Sequence, residues 1–142
     1  MYRSEMQRLE GVWTGTERVS DTDPPYETTA RIVFQTVFDG KFLLCDYVQT
    51  KPDKQTSVAH GVFRRDERTN AFTVTWFRSP VASSTQQADA VSEGDEMLFV
   101  ETIDGRETRT KYAVQLDKLT IRTELMVRGE WQRILEGEYR RR

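Results

Sequence analysis

The chain has 142 residues, 37% of them hydrophobic and 31% charged, with a formal net charge of −2. That length suits one domain with a sizeable core. The near-neutral balance excludes a broad basic face for nucleic acid or anionic membrane, and the arginines at 140–142 read as a solvated tail.

The N-terminus, Met1-Tyr2-Arg3-Ser4-Glu5, is charged within five residues. A secretory leader needs roughly 7–15 apolar residues there, so none is expected. No stretch approaches the roughly 20 apolar residues of a membrane-spanning helix. Cys45 is the only cysteine, which rules out an internal disulfide. The expected compartment is the cytoplasm. Cys45 follows Phe42-Leu43-Leu44 and reads as a small buried hydrophobe.

In chain order, the first element is a helix near 3–10. Tyr2, Met6 and Leu9 share one face, and Gly11 ends it. Two turns are too short to be stable alone, so this helix must pack on something. Ten strand runs follow, near 11–19, 27–38, 41–50, 56–65, 71–79, 86–91, 96–103, 106–115, 119–127 and 130–140. They are rich in Val, Thr, Phe, Ile, Tyr and Trp. The run at 86–91 is the weakest of them.

Asp39-Gly40 and Asp104-Gly105 supply the positive φ angles of two-residue hairpin turns. Arg68-Thr69-Asn70, Asp117-Lys118 and Arg128-Gly129 are further turn candidates. Residues 20–26 and 80–85 form longer loops, expected at the rim of an open end. Leu119, Ile121, Leu125 and Val127 share one parity, with charges at the other. Residues 31–38 are apolar on both faces. Short connections between neighbours predict an all-β fold, a single up-and-down antiparallel barrel of eight to ten strands plugged by the N-terminal helix. The whole chain, 1–142, is expected to be one such domain.

Several residues could carry a function. His60 lies in Val58-Ala59-His60-Gly61-Val62. If Val58 and Val62 face inward, so does His60, as a polar anchor or a satisfied rim histidine. One His and one Cys cannot supply a usual zinc set, so no metal and no cofactor are expected. No nucleophile elbow or phosphate loop is present, and no catalytic residue is assigned. Asp46, Glu101 and Glu124 lie in strands and are expected outward, solvated or ion-paired. Trp13, Tyr47, Trp76, Tyr112, Trp131 and Tyr139 sit on separate strands. Trp13 and Tyr139 read as core. Tyr47, Trp76 and Tyr112, with His60, are the candidate ligand-binding residues, because an aromatic ring with a polar tip suits a mixed pocket.

Gly11-Val12-Trp13, after a short helix, resembles the opening of the lipocalin and calycin barrels. The resemblance implies that Trp13 closes the barrel floor under a basic side chain from near the last strand, with Arg140 the first candidate and Arg142 the second. The layout also resembles a bacterial family of uncharacterised small lipocalin-like proteins. The shared features are the first-strand Trp, Asp39-Gly40-Lys41-Phe42, and Thr75-Trp76-Phe77-Arg78. More distantly, residues 11–16 are similar to the start of the nitrobindin-type haem barrels. There the iron is held by a histidine near the C-terminal end. Here Thr16 replaces the last glycine of that motif, and residues 100–142 contain no histidine.

Three functions remain open on these grounds. Non-catalytic binding of a small, largely apolar ligand predicts an internal cavity. An isomerase or hydrolase predicts a buried ionisable pair within reach of that cavity. A ligandless, homodimeric scaffold predicts a packed interior and an apolar outer patch.

Overall fold

The structure, a computed structural model, describes residues 5–66, 68, 71–78, 84–89, 96–103 and 105–142. Tyr2, Thr69, Asn70, Asp104 and residues 80–83, named above for the helix face, two turns and a loop, lie outside the described residues.

One short helix, α1 (Glu5–Leu9), precedes ten strands: β1 (Gly11–Val19), β2 (Tyr26–Val37), β3 (Phe42–Thr50), β4 (Thr56–Arg65), β5 (Phe72–Arg78), β6 (Ser84–Asp89), β7 (Glu96–Ile103), β8 (Arg106–Gln115), β9 (Lys118–Val127) and β10 (Glu130–Arg141). Each strand pairs antiparallel with its neighbours in sequence, and β1 pairs with β10 to close the barrel. The fold is all-β and up-and-down, as the turn spacing predicts. The weak strand, expected at 86–91, lies two residues earlier. Among the described residues no helix is long and apolar enough to cross a membrane.

Arg128 and Gly129 take positive φ and join Val127 to Glu130 in a two-residue hairpin. At the first hairpin Phe38 takes positive φ as well as Asp39 and Gly40, and the strands last pair at Val37 and Phe42, so the connection is four residues where two are expected; the Lys41 amide donates to the Phe38 carbonyl at 3.1 Å. The turn expected at Asp117-Lys118 is shifted back by one residue. Gln115 pairs with Lys118, and Leu116, fully out in solvent, takes φ 53°.

Successive side chains alternate in and out of the barrel, and the inner set packs in layers. At one end Met6, Leu9, Trp13, Leu43, Phe72, Val74 and Leu119 form a dry floor. Above it lies an aromatic layer around Phe63, which meets Phe34, Trp76, Phe99 and Tyr112 edge-on at centroid distances of 5.5–6.0 Å. Edge-to-face pairs of this kind add to area burial.

The floor corrects one expectation. Arg141, and neither Arg140 nor Arg142, lies over Trp13, its guanidinium carbon 4.3 Å from the ring centroid. Parity is the reason. Tyr139 points inward, so Arg141 follows it on the same side, while Arg140 sits between Thr14 and Lys118 and points out. The guanidinium also donates to the Glu10 carbonyl and, at 3.0 Å, to the Arg8 carbonyl. The Trp13 indole N–H donates to the Leu9 carbonyl at 2.7 Å. Arg141 thus satisfies carbonyls at the end of α1 that no residue within so short a helix can reach.

Candidate functional site

The half of the barrel away from the floor is not filled. Cys45 on β3 and Ser57, Ala59 and Gly61 on β4 face inward, and none is large enough to reach the far wall. A cavity of about 260 Å³ remains. Its wall is mostly apolar: Ile32 and Phe34 from β2, Trp76 from β5, Ile121 from β9 and Leu135 from β10. Tyr47, Arg78, Thr110, Tyr112, Thr123 and Glu17 supply its polar atoms.

Trp76 enters this space because its register partner is Gly61. A Cβ on Gly61 would stand 2.8 Å from the indole ring, so only glycine lets the ring lie flat against β4. Arg78, one inward position further along β5, sits over the same indole at 5.4 Å.

Three of the four candidate ligand-binding residues, Tyr47, Trp76 and Tyr112, line the cavity. His60 does not. It lies on the outer face with Val58 and Val62, paired to Asp46 at 2.8 Å and with its side chain 43% exposed. The inward parity of β4 is the small set ending in Phe63, opposite to the expectation built on Val58 and Val62. Those valines join Val33, Leu44, Val48 and Phe77 on the outer face. Val58 and Phe77 are about half exposed. The only histidine of the chain therefore faces away from the barrel interior.

The carboxylates also need correction. Asp46 and Glu124 are outward and paired, to His60 and to Arg109 at 2.9 Å respectively. Glu101, expected outward, is buried on the face of β7 that carries Met97 and Phe99. Sequence reasoning missed the central one, Glu17. It is 1% exposed on the inner face of β1. Tyr47 donates to it at 2.6 Å, Gln49 at 2.9 Å and Thr28 at 3.1 Å, and Tyr139 donates a further short bond. Three strands, β2, β3 and β10, thus send donors to one carboxylate on β1. The signal was present in the alternation: Trp13, Gly15, Glu17 and Val19 share one parity, so an inward Trp13 puts Glu17 inside.

The network fixes the protonation of its members. Burial first, then the Glu17 charge, pushes the Tyr47 and Tyr139 phenols well above the ordinary tyrosine range. Burial does the same to Tyr112, against the opposing pull of the Arg78 charge. Burial, then the Asp46 charge, also pushes the Cys45 thiol up, so it is a poor nucleophile. All four groups hold their protons, and Tyr47 and Tyr139 donate theirs to Glu17. Among the described residues no group of three or more His, Cys, Asp and Glu is placed to hold a metal ion.

Comparison with known proteins places this architecture. The crystal structure of Rv2717c from M. tuberculosis is similar over 100% of this chain and 99% of that one, with a TM-score of 0.75 at 15% sequence identity. At that identity the likeness is one of fold. No curated protein matches the chain. The family described as "Protein of unknown function (DUF1579)" matches residues 2–141, nearly end to end, and the chain belongs to that family.

Proposed function

We propose that the barrel binds a small, largely apolar molecule in its unfilled half, without chemistry on it. The observation that carries this reading is the cavity itself. An apolar space of about 150 Å³ is enough to take up benzene, and this one measures about 260 Å³ with mostly apolar walls. Filling it with protein would need only larger side chains at Cys45, Ala59 or Ser57. The packed-scaffold reading has no place for such a space.

The buried Glu17–Tyr47 pair is what an enzyme would need, yet its chemistry argues against catalysis. A general base must have an open lone pair facing the substrate. Both Glu17 oxygens are already taken by donors, and Tyr47 is made a weaker acid by burial. The pair supports the wall of the container.

The test is isothermal titration with p-xylene. One-to-one binding is expected, and Ala59→Phe, which fills the cavity from β4, should abolish it while the β-type circular dichroism is retained. If p-xylene does not bind the wild-type protein at millimolar concentration, the container reading fails.

A further inference from the structure

We propose that the outside of the barrel carries a second binding site, a groove over β8 and β9 that takes a dianionic phosphate group, as inorganic phosphate or as a small phosphate monoester. The groove is separate from the interior cavity, and the proposal does not rest on the container reading.

The first observation is the placement of charge. On the outer face Lys111 of β8 stands directly opposite Arg122 of β9, and Lys118 of β9 stands directly opposite Arg140 of β10. Like charges in direct cross-strand register are destabilising. Lys111, Lys118 and Arg122 line one groove of about 160 Å³. The chain as a whole is near neutral, so this grouping of cations is local.

The second observation is shape. Ala113 of β8 lies opposite Thr120 of β9 in the same groove. A methyl group keeps the middle low, and the three long cationic side chains stand around it. Thr120 adds a hydroxyl to the floor. A phosphate group offers three strong acceptor oxygens and a charge near −2. Lysine meets it as a point charge and arginine as a fork. Three cations around one low floor suit that group better than a singly charged, planar carboxylate.

The third observation is how loosely the cations are held now. Glu96 stands 3.7 Å from Lys111, and Glu136 stands 3.5 Å from Arg122, both longer than a charge-assisted hydrogen bond. Glu136 gives its closer contact, 2.7 Å, to Arg133. Glu138 reaches Lys118 at 3.1 Å, and its side chain is 62% exposed. Exposed ion pairs of this kind are worth little, so the cations can turn to a ligand at small cost. Among the described residues Glu96 is the one carboxylate lining the groove, against three cations. The surplus of positive charge matches a dianion.

The experiment is an amide NMR titration at constant ionic strength with inorganic phosphate, glycerol 3-phosphate and acetate. Phosphate should saturate with a midpoint below about 1 mM and move the Ala113 and Thr120 amides, with acetate about tenfold weaker or more. Tighter binding of glycerol 3-phosphate identifies a monoester as the source, and tighter binding of phosphate identifies the free anion. Lys111→Gln and Arg122→Gln should each weaken phosphate by about fivefold, and Glu96→Gln should tighten it by about as much, as loss of one partly exposed charge predicts. Arg64→Gln, on the outer face of β4 across the barrel, should change it by less than about twofold. No saturation by about 10 mM of either phosphate would overturn the site. So would acetate binding as tightly, a loss at Arg64→Gln equal to that at Arg122→Gln, or weaker binding in Glu96→Gln.

Discussion

Trp13 closes the barrel floor through three separate contacts: burial of the ring, the indole N–H bond to Leu9, and the Arg141 guanidinium across its face. The terms differ in size. Truncating a core Trp to Ala costs about 3–5 kcal/mol. A cation over an aromatic face is worth about 0.5–2 kcal/mol, depending on desolvation. Trp13→Ala should therefore destabilise the fold severely in urea unfolding. Arg141→Ala should cost a fraction as much, Arg140→Ala less again, and the Trp13/Arg141 double variant should be non-additive. An Arg140→Ala cost equal to that of Arg141→Ala would contradict the stacked arrangement. The floor tryptophan was legible from Gly11-Val12-Trp13. The arginine was not, because three consecutive arginines look alike until the inward parity of Tyr139 selects the middle one.

At the scale of the element, β10 shows how a strand delivers a polar group to the interior. Tyr139 reaches Glu17 by lying back over Gly137, two residues earlier on the same inner face. A Cβ on Gly137 would stand 2.1 Å from the phenol oxygen and 2.5 Å from the adjoining ring carbon. Tyr139→Phe removes one donor from a buried carboxylate, and should cost about 1.5–3 kcal/mol. Gly137→Ala should cost more, since the whole ring must move as well as lose the bond. Urea unfolding of the two variants gives the order, and a neutral Gly137→Ala would show that the ring does not lie there. Strand and turn positions were legible because Gly40 and Gly129 supply the positive φ that a hairpin connection needs, although the first connection is two residues longer than Asp39-Gly40 alone suggests. The facing of β4 was not. Its apolar residues, Val58 and Val62, form an outer stripe with Val48 and Phe77, while its inner residues are small because Trp76 and the cavity need the space. Hydrophobic alternation assigns faces correctly only where the larger apolar residues are inside, and a strand that lines a cavity breaks that rule.

For the whole molecule, neutral donors surround the buried Glu17 carboxylate, and the protons that the interior retains have a consequence for pH. Tyr47, Tyr112 and Tyr139 all have phenols pushed above the ordinary tyrosine range, burial being the largest cause in each. In the unfolded chain these groups lose their protons near pH 10. A folded-state pKa above the unfolded one gives stability that is complete below pH 10. It is lost as pH rises beyond it, because the unfolded state then binds fewer protons than the folded one. The buried Cys45 thiol, pushed up in the same way, adds a fourth retained proton from about pH 8.5, where an unfolded thiol ionises. Four retained protons correspond to a slope of about 5 kcal/mol per pH unit once the unfolded thiol and tyrosines are ionised. A domain held by about 5–15 kcal/mol cannot survive that slope for more than a few pH units. Urea unfolding between pH 7 and 12 should therefore show constant stability up to about pH 8, a shallow fall above it as the unfolded Cys45 thiol ionises, and a steep fall from about pH 10. Tyrosinate absorbance from these three residues should appear together with unfolding, not before it. Tyr112→Phe removes one of the four protons and should reduce the steep part of the slope by about a quarter. A stability that stays flat through pH 11.5, or tyrosinate formation by all three in the folded protein, would mean that the phenols are not held inside a closed barrel.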